Sequence, residues 1–375
     1  MRMQSELLQS HLKRQHSDRC CYWDARSRSR ACAANGTHHY ITAIIDSMDQ
    51  QKHAWPKCEQ IQAKDFGSFV RPRLSNTTML IHGHCVLMGL SPHSHTSNSS
   101  RSVELLARGL TALHQKGVDL SAAHFHVQAD NCTKEVKNIG TLRFFGALVA
   151  QRKLASVTLG FLASGHSHED VDSYFANLRS CLAAAPRLEV PDDFVTCFQK
   201  YLADPQRRPH EPSREVFMLT RFRDWTNFFS EHYDHMRITG IGGPGAPHHF
   251  LLERVAESGL PRDSIDDTFW RRRGYVPSPN DVVLRTKQFM STPNWTAKPL
   301  LFFPACAIHQ FMGEVPPGTH GLCVFTHGLC VISVIVCDSS TPVFTEPPMN
   351  ANSEENQKLR KYAAIMRRCL VRFQA

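Results

Sequence analysis

Residues 124–138 read HFHVQADNCTKEVKN. In the first six, polar side chains alternate with Phe125, Val127 and Ala129, which is the period of a strand with two unlike faces. An Asp-Asn pair follows, and after it a charged run leads into the apolar stretch IGTLRFFGALVA. A strand that runs into a helix is half of a βαβ unit, so the segment predicts an α/β fold with a helix over KEVKNIGTLRFFGALVAQRKL. Asp130 has two readings there. It can accept from the free amides of the first helical turn as a cap, or ligate a metal ion, because ligands collect at the carboxyl ends of strands in open α/β sheets. The roles are compatible, since a helix N-terminus keeps a carboxylate ionised. With Asp130 committed to a metal, Asn131 becomes the better cap.

The same rhythm extends on both sides. YITAIID at 40–46 is a β-branched run ending in an acid, and TMLIHGHCVLMGL at 78–90 reads as one long strand or a pair. VELLARGLTALHQKG has Val103, Leu106, Leu110 and Leu113 at helical spacing and a Gly stop at 117. SVTLGFLA reads as a strand and HEDVDSYFANLRSCLAA as a helix. Alternation of this kind implies parallel strands in a sheet covered on both faces. Pro186 closes the block, and the Pro-rich, charged chain to about Pro212 marks a boundary. Beyond it come an aromatic-rich segment and a few short strand candidates. THGLCVF at 319–325 is repeated as THGLCVI at 326–332, a duplication too short and too few for a solenoid.

Three acids occupy comparable places: Asp46 after YITAII, Asp130 after HFHVQA, and Asp172 in the helix after SVTLGFLA. If their strands are neighbours, the carboxylates converge into a hard oxygen site suited to Mg²⁺ or Mn²⁺, which is the apparatus of phosphoryl transfer. In GHSHEDVD, Ser167 and Asp170 fit a capping box. His168 and Asp172 lie four apart and share a helix face. Asp172 is therefore the third ligand and Asp170 the fallback. Histidine pairs at 82/84, 93/95, 124/126 and 166/168 put two rings on one strand face, an arrangement that also serves zinc, although no pair has a third ligand at zinc-finger spacing.

Composition narrows the partners. The chain has 375 residues, 42% apolar and 21% charged, with a formal charge of +9. That profile fits a folded protein with an acidic partner, nucleic acid first. The thirteen cysteines form no paired CxxC motifs, and no secretory signal opens the sequence. Reduced thiols in the nucleus or cytoplasm are the expectation. The longest apolar run, LCVISVIVC at 329–337, is about half of what a membrane-spanning helix needs.

Taken in order, IIDSMDQQK, VQADNCTKEVKN and FLASGHSHEDVDSYF resemble the motifs of a transposon-derived family of eukaryotic genomes catalogued as a domain of unknown function. The resemblance runs over about residues 10–255. It implies an RNase H-like fold of the DDE transposase and integrase kind, a mixed sheet flanked by helices, followed by a smaller mixed α+β region. It places Asp46, Asp130 and Asp172 on the acidic positions. Asp49, Gln128, Asn131, Glu135, Lys137, Asn138, Gly165, His166, His168 and Asp170 fall on flanking ones. Ser47 stands where the family pattern has Gly, and Ser167 where it has Thr. The expected organisation is a basic helical arm over 1–40, the catalytic-type domain over 41–185, the accessory region over 186–318, and a tail over 319–375 with a terminal helix.

Two functions follow. The first is metal-dependent cleavage or strand transfer on DNA, with Asp46, Asp130 and Asp172 holding the ions and Lys137 and Asn138 facing the phosphate backbone. The second is a catalytically inactive remnant that binds nucleic acid or another partner, its acids serving as caps.

Overall fold

The first strand, β1 (Tyr40–Met48), sits in the middle of a sheet and has a different relation to each neighbour. On one side it pairs antiparallel with β3 (Leu74–Ile81), which turns back through Gly83 into β4 (Cys85–Pro92). On the other it runs parallel to β5 (His124–Ala129), which is parallel in turn to β6 (Ser156–Phe161). The stretch at 78–90 is thus a hairpin. Its turn needs glycine: Gly83 has φ +85°, and a Cβ there would lie 2.6 Å from the Ala33 Cβ.

In this computed structural model the described residues are 2–304, apart from 49–52, 59–70, 93–98, 163–169, 205, 207–209, 220–222, 233–237, 239–240, 243–244 and 296–297. The tandem repeat and the terminal helix expected after 318 lie outside them, as does the pair His93/His95. All described residues belong to one compact unit, Met1–Val336.

The helices are α1 (Arg2–Ala34), α2 (Ser99–Gln115), α3 (Ile139–Ala150), α4 (Asp170–Ala184), α5 (Pro191–Leu202), α6 (Trp225–His232) and α7 (Thr268–Arg271). The remaining strands are β2 (Lys57–Cys58), β7 (Arg187–Leu188), β8 (Ser213–Met218), β9 (His249–Arg254), β10 (Val282–Lys287) and β11 (Leu300–Phe303). Among the described residues nine strands form one mixed sheet in the order β11-β10-β9-β6-β5-β1-β3-β4-β8, while β2 and β7 pair separately. The chain is therefore α/β. Residues 186–318, expected as an accessory region, add β8 parallel to β4 at one edge and β9 antiparallel to β6 on the other side. They pair backbone groups that those edges would otherwise leave open.

Register explains what each face does. Ala43, Val127, Leu159 and Phe250 stand side by side across four strands. They belong to a core completed by Val103, Leu106 and Leu110 of α2 and by Leu142, Phe145 and Val149 of α3. One residue along, Thr42, His126 and Thr158 stand side by side on the opposite face. There Ile44, Leu80, Val86 and Met88 pack under Tyr174 and Leu178 of α4 and Phe194 and Phe198 of α5. The β1–β5–β6 part of this second face is polar.

The arm, expected as helical over 1–40, is one helix that ends at Ala34 and packs against β1. Small residues are what the contact requires. Ala25, Ser29 and Cys32 are buried. The Ser29 hydroxyl donates to the His82 carbonyl at 2.8 Å and accepts the Thr42 amide at 2.9 Å.

Candidate functional site

Asp46 lies one residue past the last β1–β5 pair, Ile45 with Ala129, on the same face as Thr42 and Ile44. Asp130 follows the last residue of β5. The two line one pocket with Ile44, Ile45, Gln128, Ala129, Leu162 and Val171. Its volume is about 10 Å³, room for one water-sized body. Val171 belongs to the first turn of α4, which also carries Asp170 and Asp172.

The electrostatics join the acids more firmly than the pocket does. Burial, with the negative charges of Asp130, Asp172 and Glu135 added, pushes the Asp46 carboxyl up to about 7, although the Ser47 amide donating at 2.7 Å works the other way. Asp130 is also raised by burial, against the opposing amide of Cys132 at 3.0 Å. Four carboxylates therefore share one field. Glu135 was read only as a flanking motif position. Its carboxylate accepts from the Ser47 hydroxyl at 3.2 Å and lies 3.7 Å from the Arg101 guanidinium, itself 1% exposed and bonded to Ser75.

The turn after Asp130 departs from expectation. The helix starts at Ile139 and not at Lys134, and its cap is Asn138, whose Oδ1 accepts the Thr141 amide at 3.0 Å. Asn131 does not cap it. Its Oδ1 accepts from the Lys137 ammonium at 2.7 Å. Asp130 accepts the amide two residues on, closing a local turn. Asn138 is committed to its cap and is not free to face a phosphate backbone. Lys137 is only 2% exposed, lies over the Phe161 ring, and is lowered to about 8 by burial. The intervening residues were readable as helix because they carry no breaker, yet the strongest local acceptor sits at 138.

Asp170 has work elsewhere. Its carboxylate takes the Arg26 guanidinium of α1 at 2.6 Å, with His82 Nε2 at 3.9 Å, so it ties the arm to α4. Ser167, its expected capping partner, lies outside the described residues, as do Asp49, Gly165, His166 and His168. Asp172 is partly exposed in the first turn of α4, next to the pocket-lining Val171, and its charge adds to the upward push on Asp46.

His124 and His126 share a strand face, as their spacing predicts, whereas His82 and His84 fall in the β3–β4 turn and not in a strand. His124 Nε2 and His126 Nδ1 both meet the Thr158 hydroxyl, at 3.0 and 2.7 Å, and His124 Nδ1 meets Ser156 at 2.6 Å. Burial lowers His126 to about 3 and His249 well below its usual value. Both rings are neutral near pH 7. Among the described residues no three His, Cys, Asp or Glu side chains are grouped so as to hold a metal ion. Nor is any described helix long and apolar enough to cross a membrane.

A family model described as a domain of unknown function, DUF7869, matches residues 74–257. That stretch runs from β3 through β9 and includes Asp130, Glu135 and Asp172, but not β1 with Asp46. No curated protein matches the chain, and no solved structure matches it.

Proposed function

We propose that the chain is a transposon-derived, transposase- or integrase-like protein with an RNase H-like domain that carries out metal-dependent phosphoryl transfer on DNA. One observation carries the reading: Asp46 and Asp130 stand just past the last pair of the adjacent parallel strands β1 and β5 and line one pocket beside the first turn of α4, where burial raises both carboxyls. Such crowding of carboxylates is unfavourable, and a dication relieves it. The sheet supports the reading too, because an antiparallel meander, β1-β3-β4, continued by parallel β5 and β6 is the mixed arrangement that an RNase H-like domain calls for.

The donor set is all oxygen and suits Mg²⁺ or Mn²⁺. Asp46 and Asp130, which line one pocket, are the pair to hold the ion, with Asp172 as third ligand. When bound, it supplies neutralisation of the charge on the phosphoryl oxygens. Lys137 keeps a positive charge behind Asn131, and Arg101 holds Glu135 in place. The +9 charge favours association with nucleic acid in the nucleus or cytoplasm.

The second reading, an inactive remnant that binds nucleic acid, is favoured by a specific observation: no three acidic or histidine side chains among the described residues are grouped for a metal. A labelled DNA duplex with Mg²⁺ or Mn²⁺ separates the two. The first reading expects cleavage that drops by about 100-fold or more in Asp130→Ala. Cleavage unaffected by the substitution refutes the site. Salt-sensitive binding without cleavage establishes the remnant.

A further inference from the structure

Away from the acids, α4 and α5 form a helical hairpin, packed through Tyr174, Leu178 and Leu182 on one side and Phe194, Phe198 and Tyr201 on the other. At its outer edge Cys181 and Cys197 bring their sulfurs to 3.2 Å, and the Cys181 thiol also reaches the Cys197 carbonyl at 3.7 Å. Both are partly exposed, so a small oxidant can reach them. Close by, the Lys57 ammonium donates to the carbonyls of Ala183 and Ala185 at 3.0 and 2.9 Å, closing the carboxyl end of α4. Among the other described cysteines, Cys20 and Cys32 meet histidines, and Cys85 is buried.

We propose that Cys181 and Cys197 are a reversible thiol–disulfide site, oxidised by hydroperoxides, that fastens α4 to α5. The inference rests on the hairpin geometry alone and is independent of the proposed chemistry on DNA. Burial and the neighbouring Cys181 push the Cys197 thiol up to about 12, so it keeps its proton at neutral pH. Cys181, the other sulfur of the pair, begins the reaction. Its thiolate takes the distal oxygen of the hydroperoxide: an S–O bond forms, the O–O bond breaks, and the alcohol departs with a proton. Cys197 then attacks the sulfenic sulfur. The S–S bond forms as S–O breaks, and the hydroxide leaves as water with the Cys197 proton. Two thiols and one hydroperoxide give one disulfide, one alcohol and one water.

The bond would join residues 16 apart and close a loop across the hairpin. The expected effect is a rise in melting temperature of about 5 °C or more, reversed by a thiol reductant. Because α4 bears Asp170 and Asp172 in its first turn, the cross-link also steadies the helix that faces the acids.

The test treats the full chain with graded hydrogen peroxide, blocks free thiols and maps tryptic peptides. Peptides 180–187 and 188–200 should appear joined, lighter by two hydrogens than their sum, at a lower peroxide dose than any other cysteine needs. In Cys197→Ser, a sulfenic acid at Cys181 should be trapped by dimedone. Oxidation of other cysteines while 180–187 and 188–200 stay unlinked overturns the proposal.

Discussion

Ala43, Val127, Leu159 and Phe250 stand in a row on one face of the sheet and meet α2 and α3, while Thr42, His126 and Thr158 stand in a row on the other. The same strands make both rows. On the first, side chains gain by area alone, and Phe125 and Phe145 meet with ring centroids 6.0 Å apart. On the second, every polar atom removed from water needs a partner, and His126 Nε2, His249 Nδ1 and Gln128 Oε1 are buried without a hydrogen bond. The apolar face is built for stability. The polar face carries a cost, and at its end stand Asp46 and Asp130.

The largest expected effect is on the apolar face. Phe145→Ala removes a ring that is fully buried and should cost about 4 kcal/mol in urea unfolding at pH 7. A loss below about 1 kcal/mol would mean that this core is looser than the packing implies.

Acid should single out the polar face. A histidine with a lowered folded pKa is neutral in the fold, whereas the unfolded chain takes up a proton near 6.5. Its contribution is present above that value and is lost as pH falls toward the folded pKa. His126, lowered to about 3, and His249, well below its usual value, should together cost about 3 kcal/mol between pH 7 and pH 5. His126→Leu should flatten part of that slope. An unchanged slope would break the contrast between the faces.

Asp46 should act in the opposite sense. Its folded pKa, about 7, is raised above the usual 3.8. The fold therefore holds the proton more tightly than the unfolded chain does. That favourable contribution is fully present at about pH 3 and is lost as pH rises from about 4 to about 7. Asp46→Asn escapes the loss, and at pH 8 it should be more stable than the wild type by about 4 kcal/mol at most, with no gain at pH 3. Destabilisation at pH 8 would show that the ionised carboxylate is well accommodated.

Much of the central sheet is legible in the sequence, because alternation and helical spacing are local properties. YITAII, HFHVQA and SVTLGF become β1, β5 and β6, and VELLARGLTALHQ falls within α2. What escapes is set by distant partners. Asp170 looks like half of a capping box until Arg26, 144 residues away, takes its carboxylate. Glu135 is one charge among several in TKEVKN until the fold brings Ser47 and Arg101 to it. The small residues within 25–34 look featureless in the sequence, yet close packing against the sheet is what they permit. The strands β9, β10 and β11 are too short to show which sheet they extend.

The central claim is that Asp46 belongs to a shared acidic site. A carboxyl-carbon NMR titration of aspartate-labelled protein tests it most directly, in the wild type and in Asp130→Asn. The account predicts a midpoint near 7 for Asp46 in the wild type, and a lower one, still above the usual 3.8 because burial remains, in the variant. A wild-type midpoint near 3.8, or one that Asp130→Asn leaves unmoved, would contradict it.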